Sequence, residues 1–162
     1  MASFVKAADA VAAALEIERR GYAFYRRVQE KATEQEAKDF FNFMAEEEQR
    51  HEGIFAEMLK RIGGLELPVG VTDEEYLSYV QGLLDSHALF LPGHEDEMMA
   101  HPLRGAVRFE KDTLLFFIEL EPLVPEAERA SVHRCADEER KHIRMLQHFR
   151  NSMSRANMKS TL

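Results

Sequence analysis

The 162-residue chain has a single cysteine, Cys135, and no proline before Pro68. One cysteine excludes an intramolecular disulfide framework and any four-cysteine metal module. A basic excess is also missing, since the formal net charge is −8. Sequence-independent binding to nucleic acid needs a basic face, so no nucleic acid is expected as a partner, and nothing suggests an anionic membrane surface. No apolar run approaches the ~18 residues that a membrane span needs. In the opening stretch "MASFVKAADAVAAALEIERR" only Lys6 precedes the apolar part, and Glu16 and Glu18 interrupt its end. That stretch reads as the start of an amphipathic helix rather than a signal peptide. A cytoplasmic location is the expectation. The alternation of β-branched residues between turn residues that marks strands is absent throughout.

What is present is helix. With 45% hydrophobic and 31% charged residues, the composition is that of a soluble globular protein long enough to build a core, and one domain over 1–162 is expected. A first long helix is predicted over about 3–31. Thr33 and Glu36 form a capping-box pair that opens a second, which Gly63-Gly64 stops. Thr72 and Glu75 repeat the pair and open a short helix over about 73–87, and the stretch 89–102 reads as loop or ragged turn. Pro102 suits the first turn of a third long helix ending near Leu120. Pro122 and Pro125 mark a tight connection to a fourth over about 126–154, and the remaining tail to residue 162 is expected to fray. Short connections make two antiparallel hairpins, and the crossover over about 63–101 lets them pack as an all-α four-helix bundle.

A bundle helix buries positions that recur at spacings of three and four. On the first helix that stripe is Ala8, Val11, Leu15, Glu18, Tyr22, Tyr25. On the second it is Ala37, Phe41, Met44, Glu48, His51, Phe55, Met58, Ile62. On the third it is Leu103, Ala106, Glu110, Thr113, Phe117, Leu120, and on the fourth Val132, Cys135, Glu139, His142, Leu146, Phe149, Met153. Each stripe is apolar or nearly so, apart from one Glu or a Glu-x-x-His pair near its middle. Four carboxylates and two imidazoles therefore point into one core at similar depth.

Buried carboxylates without partners are costly, and four together repel. No Lys or Arg lies on the stripes to neutralise them. Two divalent cations supply the missing charge and accept the lone pairs of the imidazoles. Residues three apart share a helix face, so one Glu-x-x-His reaches a single metal site. Two such helices, with two more giving one Glu each, is the ligand arrangement of ferritin-like di-metal carboxylate proteins. Mixed carboxylate and imidazole donors suit iron or manganese, and zinc also binds such sets.

The two halves of the chain align. "ALEIERRGYAFY" (14–25) matches "AVRFEKDTLLFF" (106–117), and "AEEEQRH" (45–51) matches "ADEERKH" (136–142). The offsets are 110 − 18 = 92 and 142 − 51 = 91, so the register holds across both helices of each hairpin. The pattern ExExxGxxFY, then AEEExxHxxxF, then a half-repeat, resembles the rubrerythrin group of ferritin-like proteins over about residues 5–152. The resemblance implies two non-haem iron ions bridged by carboxylates, cycling between ferrous and ferric states and reacting with hydrogen peroxide or dioxygen. It implies Glu18, Glu48, His51, Glu110, Glu139 and His142 as ligands, with Glu48 and Glu139 bridging. It further implies a homodimer re-reduced by a separate electron-donor protein.

Two departures stand out. Full-length rubrerythrins carry a four-cysteine rubredoxin-like domain, which these residues do not contain. They also tend to carry an extra glutamate one turn after the third-helix ligand, where this chain has Thr113. The six-residue set is similar as well to the ferroxidase centre of bacterioferritin. The expected function is thus a di-iron oxidoreductase. The alternatives are a ferroxidase that handles iron and a non-catalytic bundle that metal welds together.

Other residues are read more plainly. Tyr25, two turns after Glu18, either hydrogen-bonds a ligand carboxylate across the bundle or packs as a core aromatic. Glu47 and Glu138 read as surface carboxylates beside Arg50 and Lys141; the other role open to them is to accept the second ring N–H of a ligand histidine on a neighbouring helix. Met44 and Cys135 read as core fillers. His87, His94, His101, His133 and His148 read as surface or loop histidines. The run His94-Glu95-Asp96-Glu97 reads as a solvated loop.

Overall fold

Four long helices account for most of the chain, and the apolar stripes decide how they pack. In the computed structural model, which describes residue 4, residues 6–71 and residues 73–159, α1 spans Ala7–Lys31 and α2 Gln35–Ile62. After a crossover, α5 spans Pro102–Leu120 and α6 Glu126–Lys159. Two shorter helices lie within the crossover, α3 (Glu74–Asp85) and α4 (His94–Ala100). Among the described residues there is no strand, and the one isolated bridge joins Lys6 to Glu66. α1 packs most extensively on α2, and α5 on α6, so each half of the chain is a helical hairpin.

The ends of these helices follow local chemistry, though not always the chemistry read from sequence. Pro102 sits in the first turn of α5, where its missing N–H costs nothing. Gly63 ends α2 at φ 51°, a left-handed backbone that glycine adopts without strain. Thr33 does not cap α2. The chain reverses over residues 32–34, Glu34 is the N-cap, and no side chain closes it. Thr72 lies outside the described residues, and α3 is capped instead by Asp73, whose carboxylate accepts from the N–H groups of Glu75 and Tyr76.

Three further expectations need correction. The stretch read as loop contains α4, a two-turn helix with only Met98 buried. It is held by packing: a Cβ on Gly105 of α5 would lie 2.9 Å from the Cβ of Met98, so glycine there lets the two helices touch. The described part of the tail expected to fray is helix to Lys159, and residues 160–162 lie outside the described residues. His87, read as a surface or loop residue, does lie in the loop between α3 and α4 but is fully buried. Its Nδ1 accepts from the Leu89 N–H at 3.2 Å, which leaves the proton on Nε2 to donate to Thr113 Oγ1 at 3.0 Å. Burial first, and the nearby charge of Arg20 second, push its pKa down to about 3, so the imidazole is neutral.

The core has two parts, one on each side of a polar waist. One gathers Leu15, Phe55, Phe117 and Leu120. The other gathers Phe24, Tyr25, Phe41, Phe109 and Phe149. No helix among the described residues is long and apolar enough to cross a membrane.

Candidate metal centre

The polar waist is where the four interrupted stripes meet. Glu18 from α1, Glu48 and His51 from α2, Glu110 from α5, and Glu139 and His142 from α6 are all buried, none more than 2% exposed. They form two groups whose ligand atoms lie within 4.8 Å of one another: Glu18, Glu48, His51 and Glu139, and then Glu48, Glu110, Glu139 and His142. The groups share Glu48 and Glu139. The sequence places all six inward by spacing alone, and the structure brings all six together.

Gly21 makes this convergence possible on α1. A Cβ at that position would meet Glu48 Oε2 at 2.6 Å. Glycine in a helix interior costs about 0.5–1 kcal/mol relative to alanine, and here the missing side chain is the space a carboxylate occupies. Sequence reasoning gave Gly21 no role. The available signal was a lone glycine three residues after Glu18 inside a strongly periodic helix.

Both histidines turn Nδ1 toward the carboxylates. His51 Nδ1 is 2.8 Å from Glu139 Oε1 and 3.6 Å from Glu18 Oε2. His142 Nδ1 is 3.0 Å from Glu139 Oε2, 3.5 Å from Glu110 Oε2 and 3.6 Å from Glu48 Oε1. The rings face each other with centroids 5.6 Å apart. Their outward nitrogens find the residues read as surface carboxylates. His51 Nε2 is 2.7 Å from Glu138 Oε2 on α6, while His142 Nε2 is 3.8 Å from Glu47 Oε2 on α2. Arg50 ties these two carboxylates together, donating to Glu47 Oε2 at 3.0 Å and to Glu138 Oε2 at 2.6 Å. The surface reading of Glu47 and Glu138 is therefore incomplete. They pair with Arg50, and Glu138 also accepts from a buried histidine across the bundle. Which neighbouring helix a flanking residue faces is set by packing, so spacing alone did not decide it.

Tyr25 donates from its hydroxyl to Glu110 Oε1 at 2.5 Å, so the first of its two readings holds. Met44 and Cys135 are buried fillers, and burial pushes the Cys135 thiol up to about 12. The acidic run at the start of α4 is engaged by arginines: Glu95 pairs with Arg27, and Glu97 lies 3.5 Å from Arg104.

The electrostatics of the waist are those of a site short of positive charge. Burial, then mutual repulsion, pushes the Glu48 carboxyl well above its usual range, and burial raises Glu18 against the opposing pull of His51. Burial and the charge of Glu139 raise Glu110 to about 8. At Glu139 burial also acts upward, but the close approach of Glu110, His142 and His51 outweighs it and holds this carboxyl low. Burial alone would depress His142, yet Glu110 and Glu139 lift it to about 10, and His51 moves the same way beside Glu18 and Glu139. Protons held by the imidazoles and carboxyls thus partly offset the four negative charges.

Hydrogen bonding does not complete the site. Among the described residues nine buried side-chain N or O atoms lack a hydrogen-bond partner. Seven are here: both oxygens of Glu18 and of Glu48, Glu110 Oε2, Glu139 Oε1 and His51 Nδ1. Such atoms cost about 1–3 kcal/mol each when left unpaired. Carboxylate oxygens and an imidazole nitrogen, without hydrogen-bond partners and convergent, are the donor set that iron or manganese takes once their protons are displaced. With Nε2–H donated to Glu138, Nδ1 is the nitrogen of His51 that gives up its proton and offers a lone pair when metal binds. The residues present fit a pair of metal ions.

A ferritin-like diiron-carboxylate protein from Thermotoga maritima has the same fold, with a TM-score of 0.64 at 23% identity, over 93% of this chain and 98% of that one. No curated protein matches the chain. The rubrerythrin family model matches residues 9–150, the stretch that holds both hairpins and all six converging side chains. On that match the chain belongs to the rubrerythrin family.

Proposed function

We propose that this protein is a di-iron oxidoreductase that reduces hydrogen peroxide or dioxygen. The observation that carries the reading is the pair of four-residue groups sharing Glu48 and Glu139, with seven orphaned donor atoms between them. Glu18 and His51 would hold one metal, Glu110 and His142 the other, and Glu48 and Glu139 would bridge the two. Two ferrous ions supply, when bound, the two electrons that with two protons take hydrogen peroxide to two waters.

The chain's own residues set the conditions for that chemistry. Full burial of the six excludes bulk water and restricts access to small oxidants. Glu138 fixes the ring of His51 from behind, and Tyr25 fixes Glu110. The Tyr25 hydroxyl is also a proton donor held against a residue of the centre. A reductant of protein size cannot touch the metals, so electrons would arrive through the protein from a separate donor. A homodimer is part of the same proposal.

The same burial favours a second reading, in which metal only welds the bundle. One experiment separates the two: anaerobic loading with Fe(II), an iron count, then rapid mixing with peroxide and with dioxygen in separate runs. Two irons per chain that are oxidised faster by peroxide than by dioxygen, and then re-reduced for further turnovers, support the enzyme. Uptake beyond two irons with faster oxidation by dioxygen points to ferroxidase activity. Tightly held iron that neither oxidant touches leaves the structural role.

A further inference from the structure

A cavity of about 500 Å³ opens at the end of the bundle where the α1–α2 turn, the start of α5 and the last turns of α6 meet. It lies outside the metal centre and the proposed function makes no use of it. Its walls are apolar, built from Val28, Phe41, Leu103, Phe149 and Met153. Its size lies within the roughly 300–1,000 Å³ range of small-molecule sites.

The charge around it is opposite to that of the protein. The chain carries a net −8, yet no residue lining this cavity is acidic, and Lys31, Arg104 and Arg150 all border it. Arg104 lies 3.5 Å from Glu97, while neither the Lys31 ammonium nor the Arg150 guanidinium makes an ion pair or hydrogen bond among the described residues. The positive end of α5 borders the same space. Its N-cap, His101, gives no side-chain hydrogen bond, and its first turn has no acidic residue. An anion would complement that end.

Apolar walls under a rim of unpaired cations select an amphipathic anion. We propose that this cavity binds a single-chain fatty carboxylate, with its alkyl chain along Phe41, Phe149 and Met153 and its carboxylate at Lys31 and Arg150. A second copy of the chain fits less well. A two-fold interface would set one concave cationic face against another, with like charges opposed and space unfilled. The proposal does not rest on metal, so it stands or falls separately from the di-iron reading.

Isothermal titration with dodecanoate below its micelle concentration, on the iron-loaded and the metal-free protein, provides the test. The expected result is one saturable site per chain in both forms, and none for dodecyltrimethylammonium, which has the same chain with a cationic head. Arg150→Glu and Met153→Glu, at an exposed and a half-buried position, should each weaken binding about tenfold with unchanged helical circular dichroism. Absence of a saturable site overturns the proposal. Equal binding of the cationic amphiphile, or full affinity in both variants, overturns it too. So does a wild-type dimer that Arg150→Glu dissociates, since the face would then be an interface between copies.

Discussion

The first hairpin and the second carry the same buried, converging Glu and His residues about ninety positions apart, and differ in what stands around them. Gly21 corresponds to Thr113, Tyr25 to Phe117, and Arg50 to Lys141. Each difference has a visible consequence. Glu48 fills the space over Gly21, whereas the Thr113 hydroxyl is held by His87. Tyr25 bonds Glu110, and Phe117 has no hydroxyl to do the same for Glu18. Arg50 clamps Glu47 and Glu138, with Glu138 close on His51 and Glu47 distant from His142. The repeat therefore supplies a symmetric frame of carboxylates and imidazoles, and the positions flanking it make the two halves unequal. The group at Glu18 and His51 is braced through its histidine. The group at Glu110 and His142 is braced through its carboxylate.

Removing a shared carboxylate should break both halves at once. Glu139→Ala is expected to reduce tightly bound iron from two per chain to none, whereas Glu18→Ala should leave one, as read by iron count after anaerobic dialysis. Equal losses from the two variants would contradict the sharing seen in the geometry.

The next largest effect is on the metal-free protein as pH rises. Glu110, raised to about 8, binds more protons folded than unfolded between about 4.5 and 8, so its contribution to stability falls across that window. His142, raised from 6.5 to about 10, contributes stability that is full below pH 6.5 and is lost as pH rises through 10. The signs agree. Denaturant midpoints of the metal-free protein should fall steadily from about pH 5 to 10, and metal loading, which displaces these protons, should flatten the slope. A metal-free protein that gains stability over this range would refute the account of the waist.

Gly21→Ala removes the first half's peculiarity and should separate stability from metal binding. The new Cβ clashes with the far end of the Glu48 side chain and reaches ordinary contact with Phe109 Cε2 at 3.4 Å, so once the carboxylate moves aside the helix tolerates it and gains about 0.5–1 kcal/mol of propensity. The displaced carboxylate should weaken metal affinity about 10–100-fold. Thermal melts and metal titrations on the same samples check both directions.

Smaller still is the contrast between the two flanking glutamates. Glu138→Gln should weaken metal binding about tenfold through His51, and Glu47→Gln by less, because only Glu138 lies within hydrogen-bond distance of its ring. Equal effects in competitive metal titrations would show that the asymmetry carries no energetic weight.

Much of this was legible in the sequence because the bundle is periodic. A spacing of three and four says which residues face inward, and it placed Glu18, Glu48, His51, Glu110, Glu139 and His142 without any tertiary information. The misses are residues whose role comes from non-local contact. His87 sits in a crossover with no period, and only the packing of that segment on α5 buries it against Thr113. The α4 helix has too few apolar positions to announce itself and is shaped by the approach of Met98 to Gly105. Thr33 looked like a cap, but the short reversal between α1 and α2 uses it, and the helix begins two residues later.

The central claim is that six side chains hold two metal ions in unequal halves of a repeated frame. Mössbauer spectroscopy of the protein loaded anaerobically with iron-57, with an iron count on the same sample, tests it most directly. The account predicts two ferrous ions per chain and two quadrupole doublets of equal area. Fewer than two tightly bound irons, or a single doublet from two equivalent ions, would contradict it.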